Sequence, residues 1–187
     1  MGNFLRSALD ALASFWSRPS KIVIVGLDGA GKTTLLYRIK NNATVDTTPT
    51  IGFNKESFKY KNIEFTALDF GGQTQIRPMW RVYLQQTDAL IFVVDASDRN
   101  RIDEAADELK MVFENDALVK AKLLVYANKQ DLAGCMSVRE LESKLNLAAV
   151  TRNPSHIQKA TVTTGEGLLE GFEWLHKALT GKLSTKL

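Results

Sequence analysis

The stretch Lys21 to Thr34, KIVIVGLDGAGKTT, constrains the fold more than any other part of the chain. A short apolar, β-branched run breaks at Gly26, and a helical segment follows whose first turn holds Lys32, Thr33 and Thr34, so the stretch predicts strand, glycine loop, helix. Gly26 and Gly31 frame a GxxxxGK[ST] spacing. With Gly29 they let the backbone of Gly26, Leu27, Asp28, Gly29, Ala30 and Gly31 fold into a nest whose N–H groups point at an anion. The helix N-terminus adds partial positive charge at the same place. Lys32 can reach β- and γ-phosphate oxygens as a point charge, and the Thr33 hydroxyl is placed to ligate the Mg²⁺ of a nucleoside triphosphate. A glycine turn that binds nothing would need neither the strand before it nor the helix after it.

With 187 residues, the chain suits one α/β domain that buries about 70% of its unfolded surface. We place that domain at residues 21–182, after an arm at 1–20 and before a short tail at 183–187. A net charge of +3 is too small to argue for nucleic acid, and no nucleic-acid partner is expected, although the charge would not oppose an anionic membrane. Cys135 is the single cysteine, which rules out an intramolecular disulfide and fits a reducing compartment. It is expected to pack. No apolar run approaches about 18 residues, and no signal peptide is legible, so a cytoplasmic chain is expected.

In the arm, Phe4, Leu5, Ala8, Leu9, Leu12, Phe15 and Trp16 recur at helical spacing while Asn3, Arg6, Ser7, Asp10 and Ser14 take the other face. This predicts an amphipathic helix of about four turns. It either packs permanently on its own domain or exchanges with a membrane. Gly2 after Met1 is a myristoylation site once the methionine is removed, with Arg6 standing where Ser or Thr is usual. The tail has no cysteine for prenylation, so a lipid anchor is expected only at Gly2.

After a helix over Lys32 to Lys40, the polar run NNATVDTTPTIGFN shows no period and reads as a loop. Its Thr50 can complete the Mg²⁺ shell when a γ-phosphate is present, and Ile51 and Gly52 follow it in the same switch segment. Strands Phe53 to Tyr60 and Ile63 to Asp69 then form a hairpin through Lys61-Asn62. Asp69-Phe70-Gly71-Gly72-Gln73 closes the second strand. Asp69 faces the metal through water, Gly72 offers an N–H to the γ-phosphate, and Gln73 orients an attacking water.

The apolar runs Ala89 to Asp95 and Lys122 to Asn128 read as parallel strands covered on both faces. The second delivers Asn128-Lys129-Gln130-Asp131 to the edge where doubly wound sheets bind ligands. Asp131 can accept from N1–H and N2–H of guanine, whereas adenine would leave it unpaired. Lys129 can lie along the base, and Asn128 can tie the strand end to the phosphate loop. Helices over Arg101 to Asn115, Val138 to Leu145 and Gly167 to Leu179, with a strand over Ile157 to Thr163, complete the pattern. The fold class is α/β: a six-stranded, mostly parallel sheet with one antiparallel strand and helices on both faces.

These motifs resemble the small GTPases of the ADP-ribosylation factor (ARF) family over nearly the whole chain. GLDGAGKTT, PTIGFN, DFGGQ with IRPMWR, NKQD and the Gly2-led arm carry the resemblance, which is greatest to the Golgi-associated ARF-like branch. It implies a Ras-like fold, a GTP/GDP switch with Mg²⁺, exchange factors, activating proteins, membrane effectors and reversible, myristoyl-dependent attachment to a membrane, here expected at the Golgi. It implies an effector surface including Phe53, Trp80 and Tyr83. Leu68 stands where the family's aromatic triad has a tryptophan. It also assigns the Val162 backbone N–H to guanine O6, in Thr161-Val162-Thr163 where the family has an alanine. Lys55 replaces a residue that is usually apolar.

Two other functions fit parts of the pattern. A P-loop phosphotransferase would need acceptor-binding arginines and a lid, and has no use for NKQD with DxGGQ. A guanine-nucleotide-dependent adaptor with negligible turnover would keep every binding motif, and Gln73 is the residue that speaks against it.

Overall fold

The computed structural model describes the backbone of residues 2–15, 19–43, 50–52, 55–68 and 82–183, with side chains at all of these except 2, 3, 15, 43, 50–52 and 55. Strands β1 (Ser20–Val25), β2 (Thr50–Gly52), β3 (Lys55–Tyr60), β4 (Ile63–Leu68), β5 (Ala89–Asp95), β6 (Lys122–Asn128) and β7 (Ser155–Lys159) form one sheet in the order β2-β3-β4-β1-β5-β6-β7. The helices are α1 (Gly2–Phe15), α2 (Lys32–Ala43), α3 (Ile102–Phe113), α4 (Val138–Leu145), α5 (Leu147–Val150) and α6 (Leu168–Leu179).

The pairings β4–β1–β5–β6–β7 are parallel, and β3 runs antiparallel to both of its neighbours. This is the expected mostly parallel sheet with one antiparallel strand, to which a short seventh strand, β2, is added. Three residues are too few to show a two-residue period, so the segment read as loop in sequence. What makes it a strand is the free edge of β3, against which Thr50, Ile51 and Gly52 pair with Ser57, Glu56 and Lys55. At the other edge, the strand expected over Ile157 to Thr163 ends at Lys159. Beyond it Thr161 makes only an isolated bridge to Glu166, and the N–H groups of Thr164 and Gly165 both turn back onto the Thr161 carbonyl.

Alternation along the central strands divides the core. Ile22, Ile24, Ile91, Val93, Leu124 and Tyr126 face α1, α2 and α6. Val23, Val25, Leu90, Phe92, Leu123 and Val125 face α3 and α4. Both faces are covered, which is why β5 and β6 are apolar at nearly every position. On the first face Phe65 stacks on Phe58 at 5.3 Å between ring centres and meets Phe172 edge-on at 6.4 Å. Tyr126 is fully buried there and donates its hydroxyl hydrogen to the Leu168 carbonyl at 2.8 Å, so its one polar atom is satisfied.

The arm helix α1 lies against α6 and α2. Leu5, Ala8, Leu9, Leu12 and Ala13 are buried, as the apolar periodicity requires. Phe4 departs from the expected face, with 68% of its surface exposed beside a shallow groove along Leu5 and Leu169. Leu5 beside it in the same turn is buried, so of these two large side chains only Leu5 is directed into the domain. Phe15 has no described side chain and Trp16 lies outside the described residues. Asp10, on the polar face, accepts from the Tyr60 hydroxyl at 2.6 Å and from the Lys61 ammonium at 2.5 Å, tying the arm to the tip of the β3–β4 hairpin. The Ser20 N–H closes the same corner with a 2.8 Å bond to the Asn62 carbonyl.

Candidate functional site

Parallel strands deliver their carboxyl ends to one edge of the sheet. β1 ends there and runs straight into residues 26–31, while β5 and β6 end in register with Asp95 beside Asn128. Gly26, at φ +145°, presses against β5 so closely that a Cβ would sit 2.2 Å from the Val93 carbonyl oxygen. Gly31, at φ +106°, has no more room, since a Cβ would come within 2.4 Å of the Asn128 amide nitrogen. Only glycine allows both the positive φ and the close approach. Leu27 and Ala30 are buried, Asp28 and Gly29 are exposed, and Lys32 is buried with its ammonium donating to the Leu27 carbonyl at 2.7 Å. Thr33 and Thr34 stand exposed in the first turn of α2.

Asn128 joins three segments. Its amide donates to the Ala30 carbonyl of the glycine loop at 2.8 Å, and its side-chain oxygen accepts the Val162 N–H at 3.0 Å. The tie between strand end and glycine loop was legible in sequence. The Val162 N–H, which the resemblance assigns to guanine O6, is instead taken up by Asn128 in this structure. Val162 is itself buried, which houses the branched side chain that replaces the family's alanine.

The turn after β6 passes through Lys129 at φ +64° and leaves the Asp131 carboxylate exposed. Cys135 packs beneath this turn, with its sulfur against the carbonyls of Lys129 and Leu132. The Lys129 ammonium meets Asp95 at 2.6 Å. Burial pulls the Asp95 carboxyl upward, but the bonds from Lys129 and Ser97 outweigh it and hold the group below its ordinary value. Arg101, the residue before α3, pairs with Asp28 at 2.6 Å and with Glu104 at 2.8 Å. Its guanidinium holds the Asp28 carboxyl below the usual range. Neither Asp95 nor Arg101 was singled out in sequence. Asp95 had a signal, being an acidic residue at a strand's carboxyl end, whereas nothing in the letters pairs Arg101 with a residue 73 positions earlier.

The other expected site residues are distributed differently. Phe53, Asp69, Gly72, Gln73 and Trp80 lie outside the described residues, and of Gly2, Ile51 and Gly52 only the backbone is described. Leu68 was expected at an effector surface. It is 3% exposed, because its place in β4 turns it into the core beside Val23 and Val25. Tyr83 is half-buried against the same cluster.

Thr50 was expected beside Thr33 at a shared metal. Its backbone is in β2, level with Ser57, which pairs with Thr66 and through it with Val23 of β1. Three strand spacings put it about 14 Å to the side of β1. In this arrangement Thr50 is not at the glycine loop, because the edge of β3 has taken its segment.

The loop fits a polyphosphate, with its glycine cradle, the buried ammonium of Lys32 and the helix N-terminus converging on one place. Among the described residues no cluster of three His, Cys, Asp or Glu side chains could hold a metal ion. Thr33 is the described oxygen ligand that fits Mg²⁺, and it suits an ion that binds chiefly through substrate phosphates.

A doubly wound sheet with this loop after its first strand and an NKxD turn after β6 defines a P-loop guanine-nucleotide-binding protein. The model of the ADP-ribosylation factor family matches residues 5–179, and the chain belongs to that family. Membership makes it a small GTPase of membrane trafficking, of a kind that works with guanine nucleotide and Mg²⁺ and with exchange factors, activating proteins and effectors.

Proposed function

We propose that the chain is a GTP-hydrolysing switch whose nucleotide state decides whether α1 lies on the domain or on a membrane. The observation that carries this reading is Asn128, which bonds the phosphate loop and the Val162 loop at once and makes one site of three motifs. Residues 26–34 hold the phosphates, Asp131 selects guanine, Lys129 flanks the base and Val162 lies against it. Thr33 ligates Mg²⁺, which neutralises phosphate charge. Gln73 orients water, and Gly72 donates to the γ-phosphate.

The position of β2 supports the switch. Thr50 can join Thr33 at a shared ion only if β2 leaves β3, and the β3–β4 hairpin is tied to the arm through Asp10. A change at the γ-phosphate therefore pulls on the segment that holds α1. A slip of the hairpin along β1 by two residues keeps Ile63, Phe65 and Ala67 on the same face, whereas a slip by one would invert them. Myristoylation at Gly2 supplies weak membrane affinity, to which the apolar face of α1 adds. With the GLDGAGKTT and IRPMWR segments, this favours the Golgi-associated ARF-like branch, a cytoplasmic protein reversibly bound to Golgi membrane, where it recruits effectors to vesicles.

Single-turnover GTP hydrolysis, measured with and without a family activating protein, tests the reading. Slow unaided hydrolysis is expected, with strong stimulation that Gln73→Leu abolishes while GTP binding persists. Hydrolysis that stays negligible with the activating protein would leave a guanine-nucleotide-dependent adaptor.

A further inference from the structure

We propose that Arg101 is a positioning residue of the phosphate loop: by gripping Asp28 it offsets the charge of the one carboxylate the loop carries and so raises the lifetime of bound triphosphate. This rests on the loop being the nucleotide site. The Arg101 Nη2 lies 2.6 Å from Asp28 Oδ1, and its Nη1 faces the Asp28 carbonyl at 3.4 Å, so one guanidinium engages both side chain and backbone of the same residue. Its Nε donates to Glu104 at 2.8 Å, which fixes the orientation of the fork. Arg101 is anchored in turn by α3, since the Ala105 N–H donates to its carbonyl at 2.9 Å and Ile102 and Ala105 are buried.

The pair closes one wall of a cavity of about 210 Å³ between loop and α3, whose other wall carries the Lys129–Asp95 pair. Asp28 is the acidic residue of the loop whose N–H groups form the anion nest. Left alone, its charge would oppose a polyphosphate, and a triphosphate more than a diphosphate, because like charges at short range repel even under partial screening. Arg101, which Asp28 shares with Glu104, offsets that charge, and its tether draws the carboxylate toward α3.

Five proteins test this: the unmodified chain, Arg101→Gln, Arg101→Lys, Asp28→Asn and the double variant Arg101→Gln/Asp28→Asn, each loaded with fluorescent GDP or a fluorescent non-hydrolysable GTP analogue in Mg²⁺. Arg101→Gln is expected to speed nucleotide release by about two- to fivefold, in keeping with a partly exposed charge pair. The effect is larger for the triphosphate and shrinks as ionic strength rises. Adding Asp28→Asn to Arg101→Gln slows release again, and Arg101→Lys falls between the unmodified chain and Arg101→Gln. If the double variant releases nucleotide as fast as Arg101→Gln, the arginine serves only the start of α3 through Glu104 and the proposal is overturned. Equal rates for Arg101→Gln and the unmodified chain overturn it as well. Failure of the underlying nucleotide reading looks different, since the unmodified chain would then not retain guanine nucleotide at all.

Discussion

Asp131 is exposed at the end of the β6 turn, free to accept two hydrogen bonds from a guanine edge. Hydrogen bonds to a charged group contribute about 1.5–3 kcal/mol each. Asp131→Asn is therefore expected to weaken GTP binding by several kcal/mol and to favour xanthine nucleotide, as measured by competition titration. Equal affinity of the unmodified chain for ATP and GTP would remove Asp131 from this role. A second residue reports on packing instead of binding. Gly171, on α6, lies so close to the Tyr126 ring that a Cβ would fall 2.5 Å from it. Tyr126 cannot swing away, being fully buried and bonded to the Leu168 carbonyl. Gly171→Ala should destabilise the fold by about 1–3 kcal/mol despite the better helix propensity of alanine. Urea unfolding measures this directly, and an unchanged midpoint would contradict the tight contact.

At the scale of elements, the arm and the hairpin form one unit held at Asp10. Bonds from Lys61 and Tyr60 keep the Asp10 carboxyl below its ordinary value, while burial and then Asp10 itself push the Tyr60 phenol up to about 12. The signs differ. The contribution of Asp10 is complete above its unfolded value of 3.8 and is lost as pH falls through the lower folded one. That of Tyr60 is complete below 10 and is lost as pH rises toward about 12. Tyr60→Phe should cost about 1 kcal/mol at pH 7, the worth of one partly exposed hydrogen bond. The gap to the unmodified chain should close above pH 10, because phenylalanine has no proton to lose. Urea titrations at pH 7 and pH 11 check both statements. Asp10→Ala should raise amide hydrogen exchange along residues 4–14 while leaving β5 and β6 unchanged. Uniform protection across the arm in that variant would show that the latch contributes nothing.

For the whole molecule, what matters is where the apolar face of the arm rests. Leu9 and Leu12 are fully buried, and burying such side chains contributes about 1.5–3 kcal/mol each. The arm therefore does not stay in water. It rests on α6 and α2 or on a bilayer, and if GTP favours the second then, by reciprocity, a bilayer favours GTP by the same free energy. Myristoylated protein loaded with GTP analogue should sediment with liposomes to a greater extent than the GDP form. Equal fractions in the two states would return α1 to a permanently packed helix.

The phosphate loop, the parallel strands and the apolar stripe of the arm were legible in the sequence because each depends on neighbours a few positions away. A glycine spacing, a β-branched run and a helical period are local quantities. The turn Asn128 to Asp131 was legible for the same reason, since its chemistry sits in four consecutive residues. The edge strand β2, the burial of Leu68, the exposure of Phe4 and the pairs Arg101–Asp28 and Asp10–Tyr60 were decided only by the tertiary structure. Each depends on which distant segment lies alongside: a free edge at β3, a covered face behind β4, the hairpin tip beside α1, the start of α3 beside the loop. Local pattern determined the glycine loop and the turn after β6, and packing decided which distant segments lie against them.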